Sequence, residues 1–163
     1  MQFLAFRDID LRRDAELCVR FRADSFVCSF GSDTGFHGPD GAGASRYLKV
    51  LAERIRDFPG GCVHAYDGNT IAGQLEVRRD CTATNAAYVN LYYLDVPYRG
   101  CGRAHELEAY IHTLFRSRGI SAATLSVSPT NTTALAVYDR LGWKLIGPRP
   151  GTPELLTMKK QYD

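Results

Sequence analysis

The sequence predicts a mixed α/β fold, of the α+β-like kind, in which helices flank a mostly antiparallel sheet. Segments with strand and helix periodicity follow one another in the order strand, helices, three strands, helix, strand, helix, hairpin. The chain has 163 residues, of which 45% are hydrophobic and 23% charged, so it is long enough and apolar enough to bury a core. Since it contains no repeat, linker or low-complexity tail, we expect a single domain over residues 1–163.

The N-terminal third is expected to form one strand and three helical segments. A glycine-rich stretch, residues 31–44, is the longest irregular segment. Ser45 follows it as a suitable N-cap for the next helix, in which leucine, alanine and isoleucine recur at helical spacing. The predicted elements are a strand over residues 3–7 and helices over residues 11–23, 25–30 and 46–57.

A three-strand meander is predicted next. Its first two strands, residues 62–66 and Thr70–Arg79, are joined by Asp67-Gly68-Asn69, which is typical of a tight hairpin turn. The third strand, residues 86–96, is rich in aromatic and β-branched side chains.

The remaining elements alternate between helix and strand. Gly119 is expected to end the main helix because glycine adopts the backbone conformation that terminates helices. The predicted elements are helices over residues 102–118 and 131–141 and strands over Ala122–Val127, residues 143–146 and residues 155–160.

Composition argues against several classes of function. The net charge is +2 with both signs dispersed, so neither nucleic acid nor a membrane surface is expected as a partner. Acids occur too early for a signal peptide and no apolar run is long enough to span a membrane, so we expect a cytoplasmic protein. The five cysteines are scattered without a Cys-x-x-Cys pair, and neither a metal site nor a disulfide framework is predicted.

The most informative stretch, residues 95–105, joins an apolar strand to a long amphipathic helix. Two glycines and an alanine there let the backbone approach a ligand, and the first amides of the helix point outward without partners. With the helix dipole behind them and a charge on Arg99, they suit a phosphate or pyrophosphate. We interpret Cys101 as a position whose backbone, not its thiol, faces the phosphate. His105 stands where a Rossmann fingerprint needs glycine, and no P-loop lysine follows Gly102.

Two blocks of residues resemble the GCN5-related N-acetyltransferase (GNAT) family. The acyl-CoA-binding signature of that family is Arg or Gln, two residues, Gly, one residue, then Gly or Ala, and it is matched by Arg99, Gly102 and Ala104. The second block contains Asn, Ala, Tyr, Gly and an aromatic residue at fixed spacing, and it is matched by Asn131, Ala134, Tyr138, Gly142 and Trp143. Both blocks occur in the usual order over roughly residues 62–160.

The resemblance implies a sheet whose middle strands, residues 86–96 and Ala122–Val127, splay apart to admit the pantetheine arm of acetyl-CoA, the acyl-donor cosubstrate. It implies that Tyr138 is the general acid that protonates the departing thiolate. Asn131 would contact the cofactor, cap its own helix, or do both. The cofactor-binding residues implied are Leu94, Val96, Arg99, Gly100, Cys101, Gly102, Arg103, Ala104 and Asn131.

The sequence leaves the general base open. Glu76 shares a strand face with Gln74 and Arg78 by period-two alternation. It is a candidate to take a proton from the amine through water. A solvated strand carboxylate is an equally good interpretation. A water chain without a dedicated base is a third.

The acceptor pocket is expected to be shaped by residues 21–47. Asp24 and Asp33 in that segment would suit an amine or polyamine, although each taken singly is more typical of an exposed turn. Asn90 and Tyr92 are candidates to line the same pocket.

The predicted function is transfer of an acetyl group from acetyl-CoA to a primary amine of a small molecule or peptide, by direct attack in a ternary complex. The predicted catalytic residues are Tyr138 and Glu76. Two alternatives stay open: a non-catalytic acyl-CoA-binding sensor of the same fold, and acetyl transfer to a non-amine acceptor such as a hydroxyl. Homodimer formation through a sheet edge is also left open.

Overall fold

The computed structural model describes residues 2–163, which fold into a seven-stranded sheet flanked by helices. A short 3₁₀ helix, Val96–Tyr98, precedes the fourth α-helix. The elements are β1 (Ala5–Asp8), α1 (Leu11–Phe30), α2 (Thr34–His37), α3 (Gly43–Asp57), β2 (Cys62–Asp67), β3 (Thr70–Arg79), β4 (Ala86–Leu94), α4 (Ala104–Arg118), β5 (Ala122–Val127), α5 (Thr132–Arg140), β6 (Lys144–Arg149) and β7 (Thr152–Gln161).

The sheet has the strand order β1-β2-β3-β4-β5-β7-β6. Every neighbouring pair is antiparallel except β4 and β5, which run parallel. The predicted mixed α/β fold with a mostly antiparallel sheet is therefore confirmed. Across residues 2–163, no helix has the length and apolar content needed to cross a membrane.

The N-terminal helices differ from the prediction in three ways. The two segments expected at residues 11–23 and 25–30 are one helix, α1, with a local kink at Asp14. A single turn of helix, α2, lies within the glycine-rich stretch. The N-cap predicted at Ser45 is wrong, because α3 already begins at Gly43. A Cβ on Gly43 would lie 1.8 Å from the carbonyl oxygen of Phe36, so close packing against α2 requires glycine there.

The junction before α4 also differs from the prediction. Strand β4 ends at Leu94 and not at residue 96, because the Asp95 side chain accepts a hydrogen bond from the Val96 N–H and starts the 3₁₀ turn. Helix α4 begins at Ala104, two residues later than expected. Residues 99–103 are consequently a loop.

The two middle strands diverge. Strand β4 pairs with β5 only from Ala86 to Val89, opposite Ala122 to Leu125. Beyond that point β5 continues on its other side with β7, while residues 91–94 of β4 stay paired only with β3. The splayed middle strands implied by the family resemblance are therefore present, and they open a cleft at the start of α4.

The two faces of the sheet carry different side chains. On one face, strand residues such as Leu75 and Val77 pack with Leu107, Ile111 and Phe115 of α4 into the main apolar core. On the other face, α1 and α3 cover a set that includes three fully buried polar residues, His64, Gln74 and Glu76. The cleft connects these two faces.

A buried carboxylate fastens α4 to the rest of the fold. Glu108 accepts hydrogen bonds from the hydroxyls of Tyr92 (2.8 Å) and Tyr162 (2.7 Å) and from the indole N–H of Trp143 (3.3 Å). Lys160 forms an ion pair with it at 2.7 Å. Four donors from three different segments thus converge on one side chain. These contacts offset the free-energy cost of burying the charged carboxylate.

We expect Glu108→Ala to lower the free energy of unfolding by roughly 3 kcal/mol, because four buried or half-buried donors lose their acceptor. Urea denaturation followed by tryptophan fluorescence would report the loss, since Trp143 is one of the donors. Glu16→Ala on the exposed surface of α1 is the matched control, with an expected change within about 0.5 kcal/mol. Equal stability of the two variants would show that the Glu108 cluster contributes no net stability.

Candidate active site

The cleft between the diverging ends of β4 and β5 has a volume of about 1210 Å³. The loop before α4, the start of α5 and the last turns of α1 line it together with the free edge of β4. Among the residues predicted for the site, the structure brings together Leu94, Arg99, Gly100, Gly102, Arg103, Ala104, Asn131 and Tyr138. Three others, Val96, Cys101 and Glu76, do not line the cleft.

The loop before α4 presents a row of unpaired backbone donors. Within residues 2–163, the N–H groups of residues 100–104 donate no hydrogen bond. Gly100 and Gly102 have φ values of 74° and 83°, in the left-handed region that favours glycine, and no atom lies within 4 Å of a Cβ added at either. Because these donors sit at the positive end of the α4 dipole, the loop suits a phosphate or pyrophosphate group.

The Arg99 side chain has a different role from the one expected from sequence. Its guanidinium donates to Asp24 (2.7 Å) and to the Leu94 carbonyl oxygen (2.8 Å), and it lies 5.3 Å from the centre of the Tyr93 ring. Burial alone would raise the pKa of Asp24, but the hydrogen bonds from Tyr93 and Arg99 hold that pKa below its ordinary value. The Arg99 charge is therefore matched by Asp24, and the side chain fastens the loop to α1.

The charge of the Arg103 side chain is also matched by acidic partners. Its buried guanidinium donates to the carbonyl oxygen of Gln2 (2.7 Å) and forms ion pairs with Glu106 (2.9 Å) and Asp67 (3.6 Å). Both arginines of the loop thus stabilise its shape, and within this loop the unpaired positive charge comes from the backbone amides.

Tyr138 lies on α5 within the cleft, packed edge-on against Tyr92 (5.7 Å between ring centres) and Trp143 (6.3 Å). Its hydroxyl makes no hydrogen bond to residues 2–163. Burial raises its pKa above the ordinary value, the charge of Arg22 opposes that shift and the charge of Glu108 adds to it. The phenol is therefore protonated at neutral pH and free to donate.

Asn131 joins two sides of the cleft. Its side-chain oxygen caps α5 by accepting from the Ala134 N–H at 3.2 Å, and its amide nitrogen lies 3.4 Å from the Ser29 hydroxyl of α1. The neighbouring Thr130 hydroxyl donates to the Ser29 carbonyl oxygen at 2.8 Å. The end of α1 is thereby bridged to the loop before α5.

Comparison with known proteins decides the family. The sequence model of the acetyltransferase (GNAT) family matches residues 30–143, which is more than half of the chain. This chain belongs to the GNAT family. No curated protein sequence matches it.

Solved structures agree on the fold. The PaiA N-acetyltransferase from Thermoplasma acidophilum, in complex with coenzyme A, has 19% sequence identity and a TM-score of 0.78, and the match covers 99% of this chain and 100% of that one. An acetyltransferase from Thermus thermophilus has 19% identity and a TM-score of 0.74, with 98% and 97% covered. YncA from Salmonella typhimurium, with its cofactor acetyl-CoA, has 14% identity and a TM-score of 0.68, with 99% and 95% covered.

In this GNAT protein, Glu76 is fully buried under α3. Its carboxylate accepts from the Tyr47 hydroxyl (2.7 Å), the Gln74 amide (2.9 Å) and the Arg54 guanidinium (3.0 Å). These contacts hold α3 on the sheet. The alternation of β3 predicted its face correctly, but the sequence did not indicate that a helix covers that face.

Arg22 and Tyr88 are among the cleft residues of this GNAT protein that the sequence did not indicate. Arg22 reaches the cleft because α1 crosses β4, where its guanidinium donates to the Asn90 carbonyl oxygen at 2.9 Å. No local pattern on α1 indicates that contact. The Tyr88 hydroxyl lies 2.6 Å from the Ser126 hydroxyl, where β4 and β5 begin to separate. Strand alternation from Asn90 could have suggested Tyr88, but the register shift of β4 against β3 interrupts it.

Proposed function

We propose that this GNAT protein, acting as one domain over residues 1–163, transfers the acetyl group of acetyl-CoA to a primary amine by direct attack in a ternary complex. The main support is the row of unpaired amides at residues 100–104, all but Cys101 belonging to residues that line the same cleft as the free hydroxyl of Tyr138. The coenzyme A in the PaiA structure and the acetyl-CoA in the YncA structure support the choice of donor.

In this proposal the loop amides bind the pyrophosphate, and the pantetheine arm lies along the free edge of β4. Residues 90–94 have no partner strand on that edge. The carbonyl oxygens of Asn90 and Leu94 accept from Arg22 and Arg99, so the amides of the arm pair with the backbone groups that remain free there. Leu94 is part of this edge. The predicted contact at Val96 requires its N–H to leave the Asp95 carboxylate, which it now contacts at 2.9 Å. Asn131 contributes by holding the start of α5 in place.

The chemistry requires a neutral amine, a polarised carbonyl and a proton for the leaving group. The amine nitrogen attacks the thioester carbon, a C–N bond forms, and the C–S bond breaks. Tyr138 gives its proton to the departing thiolate and regains one from water. A free N–H on the β4 edge acts as a single oxyanion donor. The proton lost by the nitrogen passes to water in the cleft.

We assign no base role to Glu76. Its carboxylate already has three donors, one of them the charged Arg54, and it lies outside the cleft lining. These donors occupy both of its oxygens and hold the carboxylate under α3, away from an amine bound in the cleft. Water is the acceptor that this arrangement supports.

The experiment that tests the proposal combines calorimetric titration of acetyl-CoA with free-thiol release in the presence of a panel of amines. We expect micromolar binding and thiol release that depends on an amine, with an N-acetyl product identified by mass. Binding without release for every amine would instead support a sensor. An O-acetyl product would indicate a hydroxyl acceptor.

A further inference from the structure

The cleft is rich in arginine and lacks acids. Within residues 2–163, no aspartate or glutamate lines it. The arginines that line it are Arg22, Arg54, Arg78, Arg99, Arg103, Arg140 and Arg149. Three of them already form ion pairs, Arg54 with Glu76, Arg99 with Asp24 and Arg103 with Glu106 and Asp67. The charge available to attract an anion therefore comes from the other arginines.

Four of these arginines reach the cleft from opposite faces of the sheet. Arg99 and Arg103 belong to the loop that leads into α4, on the side where the proposed pyrophosphate site lies. Arg78 shares its face of β3 with Gln74 and Glu76, the face that α1 and α3 cover. Arg22 reaches the cleft from α1 on that same side. Arg22 and Arg78 therefore line the cleft from the face that α1 and α3 cover.

Both arginines are held in place without an acidic partner. Arg78 donates to the Arg79 carbonyl oxygen (3.3 Å) and lies 4.7 Å from the centre of the Tyr88 ring. Arg22 donates to the Asn90 carbonyl oxygen and lies 5.5 Å from the centre of the Phe26 ring. In the described part of the chain neither forms an ion pair. Each guanidinium therefore keeps N–H groups that can bind an oxyanion.

The acids expected to attract a cationic acceptor are not available to it. Asp24 is bound by Arg99 and Tyr93, and Asp33 pairs with His37 on the exposed surface at 3.2 Å. Glu76 is buried against Arg54. The expectation that Asp24 and Asp33 would suit an amine or polyamine acceptor therefore has no support in the geometry, because both carboxylates already have partners.

We propose that the acceptor is a small amine that also carries an acidic group, a carboxylate or a phosphoryl-type oxyanion, and that Arg22 and Arg78 bind this group. The inference rests on the proposed acetyl transfer and adds the substrate class. The same charges assist the chemistry: a cationic environment lowers the pKa of the incoming ammonium group and raises the fraction of neutral nucleophile. A dedicated carboxylate base is then unnecessary.

The first test compares matched acceptors by thiol release: α-amino acids, the corresponding amino-acid amides, the corresponding decarboxylated amines, aminophosphonates, and the polyamine spermidine. We expect kcat/KM for the preferred acidic acceptor to exceed that of its amide by at least about tenfold, because only the acid offers an oxyanion to the arginines. Preference for the amides or for spermidine would overturn the inference and leave acetyl transfer intact. If no amine caused thiol release, the proposed function would be overturned, and the proposed acceptor site with it.

The second test uses Arg78→Met, with Arg79→Met on the same strand as the matched control. Arg79 does not line the cleft and contacts the Thr84 and Arg118 carbonyl oxygens. We expect Arg78→Met to raise KM for the acidic acceptor by about tenfold to a hundredfold, with less than about a threefold change for the neutral amide and for the dissociation constant of acetyl-CoA. Arg78→Lys, which keeps the charge but not the planar fork, should recover part of the loss and serves if the methionine variant does not fold. Weaker acetyl-CoA binding in Arg78→Met would show that Arg78 contacts the donor. Equal increases in KM for the acid and the amide would show that Arg78 stabilises the fold. Either result would refute the inference.

Discussion

Replacing Tyr138 with phenylalanine is expected to lower kcat by about 10²–10⁴-fold, the usual contribution of a positioned general acid. The substitution removes one hydroxyl that makes no hydrogen bond within residues 2–163, so neither packing nor folding should change appreciably. Acetyl-CoA should therefore bind to the variant about as tightly as to the wild type.

The pH profile gives an independent check on this assignment. Burial raises the pKa of Tyr138 above its ordinary value, so the phenol remains protonated from neutral pH to about pH 9. Deprotonation of the phenol would reduce kcat, but it occurs only above this pH range. We therefore expect deprotonation of Tyr138 to cause no decline of kcat below about pH 9. A wild-type decline below that pH that is absent from Tyr138→Phe would contradict this expectation.

Tyr110→Phe is the matched control for Tyr138→Phe. Tyr110 lies on α4 outside the cleft, and its hydroxyl donates to the Gly60 carbonyl oxygen at 2.7 Å. The control should lose about 1 kcal/mol of stability and retain its kcat. A kcat within threefold of wild type in Tyr138→Phe would show that the thiolate takes its proton from another group.

Local patterns were sufficient to predict most elements of this fold. Strands β3 and β5 have the bounds that periodicity and turn residues predicted. The loop before α4 was also recognisable from the sequence. Gly100 and Gly102 have positive φ values, which glycine adopts more readily than other residues, so the residue type itself indicates the loop. Such features depend on residues within a few positions of one another.

The roles of the charged side chains were not predictable in the same way. The partner of Arg99 is Asp24, 75 positions earlier, and Arg22 meets Asn90 at a separation of 68. Glu76 was placed on the correct face, but whether that face is solvated depends on α3. These contacts follow from how α1 and α3 cross the sheet, which a single sequence without further information does not specify.

The second large effect is expected from Gly102→Glu, which should weaken acetyl-CoA binding by at least about a hundredfold in calorimetric titration. A carboxylate there lies beside the amides of residues 100–104, where it both repels the pyrophosphate and competes for its donors. The φ value of 83° adds backbone strain for any side chain. Binding as tight as in the wild type would show that the pyrophosphate does not lie at this loop.

Two further variants separate the charge from the strain. Gly102→Ala introduces the strained side chain without the charge, and because nothing lies within 4 Å of the added Cβ, its effect on binding should be at most about tenfold. Gly41→Glu introduces the same carboxylate at another exposed glycine of positive φ, 70°, outside the cleft, and should bind acetyl-CoA like the wild type. If Gly102→Ala were as defective as Gly102→Glu, the shape of the loop would determine binding. A larger defect in Gly102→Glu would place the bound anion at the amides of residues 100–104, because the backbone strain is common to both variants and the carboxylate, with its charge and its bulk, distinguishes them.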